Sequence, residues 1–387
     1  MKFIALIVSI FSLFSLLDAH PAGGHDPELI AAQRVKELHR KYVKTVEGIL
    51  KHRKTGCTLK TVRRRKEWNS LTKREKLDYI NSVHCLAKLP YQTPLSLVPG
   101  VRNRYDDFTA SHALRTPFVH QNGIFLAYHR HYNHLFETAL RTECNLKGTL
   151  PYWDWTLGWQ DVNKNHLFDG SPTSLGSNGL FIPNRTHFIS VNPLGKVLDR
   201  SPGTGGGCVY SGPFTPDKWI VHLGPFTDPK GPNDGWGYNP RCLDRDLLKD
   251  FGTYTRPSNI THVLDNCQDL ACASPYIQES GNGVHSAGHI QTGGIMLDVL
   301  ASPSDPVFWP HHAMVDKIWT MWQFIGGADE YVARTREVWG TATRYNIPPS
   351  PNVTLDSPVD MGGIIGPTRR LGELGSTIDD DYCYIYE

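Results

Sequence analysis

After its first residues the chain has no apolar stretch long enough to form a helix across a bilayer, so a membrane-spanning role is excluded for the rest. It also lacks any excess of charge. At +2, with 40 basic and 38 acidic side chains, composition implies no polyanionic partner. The basic residues gather between Arg34 and Lys76, most densely at Arg63-Arg64-Arg65-Lys66, and read as a solvated helix face; no nucleic acid is expected as a partner. Residues 156–283 lack a sustained apolar period and are rich in Gly and Pro, with turns at Gly205-Gly206-Gly207-Cys208 and Gly224-Pro225. That excludes a second hydrophobic interior and leaves loops laid over one core. Two helices are expected there, near Arg241 to Phe251 and near Ile260 to Leu270.

What is present begins with Met1-Lys2, the apolar run Phe3 to Leu17, and Ala19 as a small residue at a cleavage point. This predicts a secretory signal over residues 1–19 and a secreted domain over 20–387. A mature chain of roughly 370 residues can be one large domain. Outside the cell, the eight cysteines (57, 85, 144, 208, 242, 267, 272 and 383) can pair, Cys267 and Cys272 being close enough for a short loop. Asn184, Asn259 and Asn352 each open an Asn-X-Thr glycosylation sequon.

The first helices look like scaffold. Pro27-Glu28 starts a helix to about Leu50 with Leu29, Ile30, Val35, Leu38, Tyr42, Val46 and Ile49 as its apolar face. Thr72-Lys73-Arg74-Glu75 is a capping box opening a second helix.

Histidines carry the chemistry. His112, His120 and His129 fall within one short region, and His129 shares a helical face with Tyr132, Leu135, Phe136 and Leu140, which turns it into a core where an imidazole needs a partner or a metal. His131 and His134 lie off that face and are expected at the surface. His285-Ser286-Ala287-Gly288-His289 puts two imidazoles four apart on one helix, the simplest way for a helix to present both to one ion. Asp305-Pro306-Val307-Phe308-Trp309-Pro310-His311-His312 then leads into a helix on which His312 and Asp316 share a face, suggesting a ligand with a carboxylate that orients it. The inward candidates form two groups of three: His112, His120, His129 and His285, His289, His312. Imidazole ligation without cysteine or carboxylate favours copper or zinc, and two facing three-imidazole sites leave open positions for dioxygen between two copper ions. A zinc pair is disfavoured because no Asp or Glu sits at ligand spacing in either group.

These segments resemble the two copper motifs of the tyrosinase and catechol oxidase family of type 3 copper proteins, and the chain looks like the short secreted fungal members. The likeness extends to Arg65-Lys66-Glu67-Trp68, Tyr79 to Leu86, Pro151 to Trp155, Gly206 to Phe214 and Asn239 to Leu243. Tyr382-Cys383-Tyr384 is similar to the family's closing tyrosine motif, with Arg65 as its basic partner. The resemblance implies a mainly α fold, a four-helix bundle around a dinuclear copper site, with the six histidines as ligands to two copper ions and His311 outside the ligand set. It also implies that Ser286 and Val299 face the substrate, Val299 near the gate position.

Departures shape the expected activity. No cysteine lies between Cys85 and Cys144, so His120 carries no thioether of the kind many members have. The chain stops three residues after Tyr384, so if these 387 residues are the full product no covering lid domain is expected in cis. Ser286 follows His285 where efficient monophenol hydroxylases often have Asn, and Glu279 is the nearest acidic candidate for activating a water. The expectation is a secreted oxidase of o-diphenols, with weaker or selective phenol hydroxylation, acting on small phenols and O2. The alternatives are a specialised o-aminophenol or biosynthetic phenol oxidase, a haemocyanin-like oxygen carrier, and a copper brace at an exposed N-terminal His20.

Overall fold

The computed structural model describes residues 26–279, 283–379 and 381–387. The signal segment and His20 lie outside the described residues.

Helix α1 (Pro27–Lys51) starts where expected, with the Asp26 side chain accepting from the Glu28 N–H. Its buried face is Ala31, Val35, Leu38, Tyr42, Val46 and Leu50. Leu29 and Ile30 are exposed, so the apolar stripe begins later than the sequence suggests. Strand β1 (Arg63–Arg65) replaces the expected solvated helix face, and Arg65 is fully buried. Helix α2 (Lys73–Leu86) opens on the Thr72 and Glu75 capping box.

Four helices form the bundle: α3 (Arg104–Val119), α4 (Phe125–Thr142), α8 (Val284–Thr292) and α9 (Phe308–Phe324). Asn103 and Asp106 cap α3 reciprocally. Every residue of α9 is buried, because α4, α8, α1 and the Pro151–Trp155 segment enclose it. Trp153 N–H donates to the Pro310 carbonyl at 3.0 Å, fixing that aromatic segment to the helix's first turn. Phe136 and Trp309 stack with centroids 3.5 Å apart, joining α4 to α9.

Between α4 and α8 the chain is mostly loop. It carries short strands β2 (Gly179–Phe181), β3 (Phe188–Val191), β4 (Val197–Arg200) and β5 (Gly206–Val209), and short helices α5 (Gly252–Thr255), α6 (Pro257–Thr261) and α7 (Leu270–Gln278). β3 and β4 make an antiparallel hairpin, and β2 pairs antiparallel with β5. The helix expected near Arg241 to Phe251 is absent except for a short turn at Lys249–Phe251. Its backbone groups serve neighbours instead: Arg241 pairs with Val221, Leu243 O accepts from Val209 N–H, and Arg245 O from Gly206 N–H. The helix expected near Ile260 to Leu270 is divided into α6, a wide turn over His262–Asn266, and α7.

After α9 come α10 (Ala328–Arg334), the paired strands β6 (Pro358–Val359) and β7 (Arg369–Arg370), and β8 (Tyr384–Tyr386), which lies parallel to β1. Disulfides join Cys57 to Cys383, Cys85 to Cys144, Cys208 to Cys242 and Cys267 to Cys272, the last as expected. The aromatic and aliphatic side chains of bundle and loops pack into one continuous core.

Candidate metal centre

His112 stands on α3, fully buried, and its Nδ1 lies 3.2 Å from the Leu300 carbonyl. His120 follows the last residue of α3 in extended backbone, where Nδ1 reaches the Thr116 carbonyl at 3.1 Å. His129 on α4 turns Nδ1 to the Phe125 carbonyl at 2.8 Å. On α8, His289 does the same with Met296 at 2.9 Å. A carbonyl can only accept, so in these four rings the proton sits on Nδ1 and the Nε2 lone pair is free. Nε2 of His112 and His129 is buried with no hydrogen-bond partner, as are both ring nitrogens of His285 and Nδ1 of His312.

The free nitrogens converge. Ligand atoms of His112, His120 and His129 lie within 4.8 Å of one another, and so do those of His285, His289, His311 and His312. Nε2 of His289 and Nε2 of His312 are 3.2 Å apart, a separation that a shared proton or a shared metal ion accounts for. The groups also meet: His120 stacks on His285 with centroids 6.2 Å apart. Burial drives the imidazoles toward the neutral, ligating form, holding His112 down to about 3 and His289 to about 4, and His120, His129, His285 and His312 well below the ordinary range. Orphaned buried nitrogens in two facing clusters, with no carboxylate among them, fit a copper pair.

His311 is closer to this cluster than expected. Both its nitrogens are unpartnered, and its ring centroid lies 4.5 Å from that of His289. Gly288 makes room for it, since a Cβ there would stand 2.4 Å from His311 Cε1.

Asp316 does not orient His312. Its carboxylate accepts from Arg130 Nε at 2.6 Å, Tyr384 Oη at 2.7 Å and Tyr386 Oη at 2.6 Å. Arg65 completes the network, donating to Glu137 at 2.6 Å while its guanidinium lies 3.6 Å over the Tyr384 ring, the partnership anticipated from the tyrosine motif. His131 and His134 are not surface residues either. His131 is buried with Nδ1 2.6 Å from Tyr382 Oη, and His134 meets the edge of the same ring. The returning C-terminal segment covers both, which helical periodicity alone does not register.

A cavity of about 340 Å³ opens onto His120, His285 and His289 and is also lined by Ser286, Val299 and Met296. Val299 is 37% exposed. Ser286 Oγ donates to the Glu279 carbonyl at 2.7 Å, and the Glu279 carboxylate pairs with Lys196. The cation lining of the cavity, Lys196, Arg200 and Arg344, is not apparent from the sequence, because the β3–β4 hairpin that carries Lys196 and Arg200 meets Arg344 only in the fold. His262 also approaches Cys267 and Cys272, but those sulfurs are joined to each other and offer no thiolate.

A family model described as the common central domain of tyrosinase matches residues 102–325. Tyrosinase P of Aspergillus terreus is 41% identical over 343 residues, covering 83% of this chain and 91% of its own. The N-acetyl-6-hydroxytryptophan oxidase of Emericella nidulans is 38% identical over 350 residues, covering 86% and 94%. Among solved structures, a mutant polyphenol oxidase from Thermothelomyces thermophila superposes with a TM-score of 0.86 at 34% identity, covering 92% of this chain and 98% of that one.

Proposed function

The chain belongs to the tyrosinase family of type 3 copper oxidases, and on that premise we propose that residues 20–387 are one secreted catalytic domain holding two copper ions and oxidising o-diphenols to o-quinones. His112, His120 and His129 would hold one ion, and His285, His289 and His312 the other. The observation that carries this reading is the pair of facing clusters in which backbone carbonyls engage Nδ1 of His112, His120, His129 and His289, while buried nitrogens of His112, His129, His285 and His312 are left without a partner. A copper pair bound there supplies two-electron redox chemistry coupled to dioxygen. Two diphenols each give up two electrons and two protons, and one O2 becomes two waters.

The chain's own residues hold the imidazoles neutral, keep water from the buried side of the clusters, and offer the flat ring a cavity beside His285 and His289. Val299 is small enough to leave that cavity open. Ser286 gives its hydroxyl proton to the Glu279 carbonyl and the Glu279 carboxylate is charge-paired with Lys196, which makes Glu279 a weaker base toward a phenol. This favours diphenol oxidation over monophenol hydroxylation. The four disulfides, the absence of a membrane-crossing helix among the described residues and the exposed sequons at Asn184 and Asn352 support secretion. Asn259 is a poorer glycan site, its amide being engaged by the Thr253 and Tyr254 carbonyls.

The relative named for N-acetyl-6-hydroxytryptophan oxidation favours a second reading, a biosynthetic oxidase with one preferred phenol or o-aminophenol. Copper analysis together with oxygen uptake on catechol, phenol and o-aminophenol separates the two. Two copper ions per chain and fastest uptake with catechol are expected. Copper binding without turnover of any of them would point to an oxygen carrier.

A further inference from the structure

The charge distribution in the cavity bears on which diphenols it takes, and this step rests on the site being a phenol oxidase. Lys196, Arg200 and Arg344 line the cavity and, among the described residues, no carboxylate does so; Arg200 also borders the adjoining pocket that holds Asp244 and Asp246. Lys196 is already neutralised by Glu279. Arg200, at the end of β4, is only 5% exposed, and neither of its Nη atoms has a hydrogen-bond partner. Its guanidinium carbon lies over Phe188, 3.9 Å from the ring centroid, so that ring covers the group without giving its N–H donors an acceptor. Asp246, whose charge Arg200 feels, gives both oxygens to Arg185. Arg344 donates to Gln121 Oε1 at 2.8 Å and joins no ion pair among the described residues. Burial without a bound counter-ion lowers the Arg200 pKa to about 10.

A buried guanidinium with idle donors is costly unless an anion meets it, and a carboxylate fits the planar fork on two bonds. We propose that Arg200, assisted by Arg344, forms an anion subsite in the wall of the histidine cavity, and that the preferred substrates are diphenols bearing a carboxylate on a side chain. The diol end goes to the histidines and the acid end to Arg200. The volume of about 340 Å³ is within the range for a ring with a short acidic chain.

The test compares 3-(3,4-dihydroxyphenyl)propionate with its methyl ester, which keeps the ring and removes the charge. For the copper-loaded protein the acid-to-ester ratio of kcat/KM is expected to be about 10 or more, the size of one charge-assisted pair. Calorimetric binding of 3-phenylpropionate against its methyl ester should give the same preference without chemistry. Arg200→Gln is expected to bring both ratios near unity, and Arg344→Gln to lower them about threefold. Equal handling of acid and ester by the wild type overturns the subsite. So does a ratio unchanged in Arg200→Gln, which would assign the carboxylate to the metal or to Lys196. If Arg200→Gln fails to fold by circular dichroism, Arg344→Gln decides by the same ratio, an unchanged value counting against the proposal. A wild type that oxidises no diphenol defeats the oxidase reading, while the binding ratio still decides the subsite.

Discussion

His129 and His312 lie ring on ring, their centroids 4.3 Å apart and their planes 9° from parallel, so the two histidine groups touch across the bundle. Removing one ring should empty one side and silence both. His312→Ala is expected to lower copper to about half and abolish oxygen uptake with catechol, since the reaction needs the pair. Metal analysis beside an oxygen electrode checks it, and full catechol turnover in that variant would sink the ligand assignment.

Asp316 carries stability that depends on pH. Burial works against its charge, but Arg130 and Arg65 outweigh that and hold its carboxyl below the usual carboxylate range. A depressed pKa contributes stability above the unfolded value of about 4 and loses it as pH falls through the folded value. Asp316→Asn should therefore cost about 3–5 kcal/mol at neutral pH, because Arg130 is left buried without its counter-charge, and should lose the wild type's sharp fall in Tm below about pH 4. Thermal melts across pH read both.

Asp244 works in the opposite sense. Burial raises its carboxyl to about 6, so the stability it contributes is complete below the unfolded value of about 4 and is lost as pH rises from there through about 6. Asp244→Asn is expected to flatten the pH dependence of Tm between about 4 and 6. An unchanged slope there would contradict the assignment.

Gly288→Ala puts a methyl group into His311 and should displace that ring from its place beside His289. Overpacking of this kind costs about 1–3 kcal/mol. The specific expectation is weaker retention of copper at the second histidine group, measured by competition with a chelator against the wild type. Equal retention would mean that His311 moves without cost to its neighbours.

Val299→Phe should narrow the cavity and raise KM for catechol several-fold, with copper content unchanged. Steady-state kinetics and metal analysis together test it.

The sequence revealed what is local. The capping residues Thr72 and Glu75, the start of α1 and the paired histidines of α8 follow from spacing along one helix. That His112, His120 and His129 gather, and His285, His289 and His312 with them across the bundle, was also legible from spacing, whereas the presence of His311 in the second cluster was not. What periodicity missed depends on distant chain. His131 is buried by Tyr382, Asp316 is claimed by Arg130 and by tyrosines from β8, and the segment after Arg241 is held extended by Val221, Gly207 and Val209. Arg200 shows the same limit, since nothing in its own strand reveals that its guanidinium ends without a partner.

The pairing of β8 with β1 sets an order for biosynthesis. Arg65 and Arg130 are buried charges whose compensation includes Tyr384, Tyr386 and the carbonyl of Gly375, all more than 240 residues later in the chain. A ribosome-bound chain that has not yet released residues 375–386 can pair Arg130 with Asp316 and Arg65 with Glu137 but lacks the donors and acceptors that complete their burial. Copper loading is therefore expected to follow emergence of the segment that Cys383 anchors to Cys57. A nascent chain arrested before Cys383 should be cut readily by protease and hold no copper, while one arrested well beyond Tyr386 should resist and load.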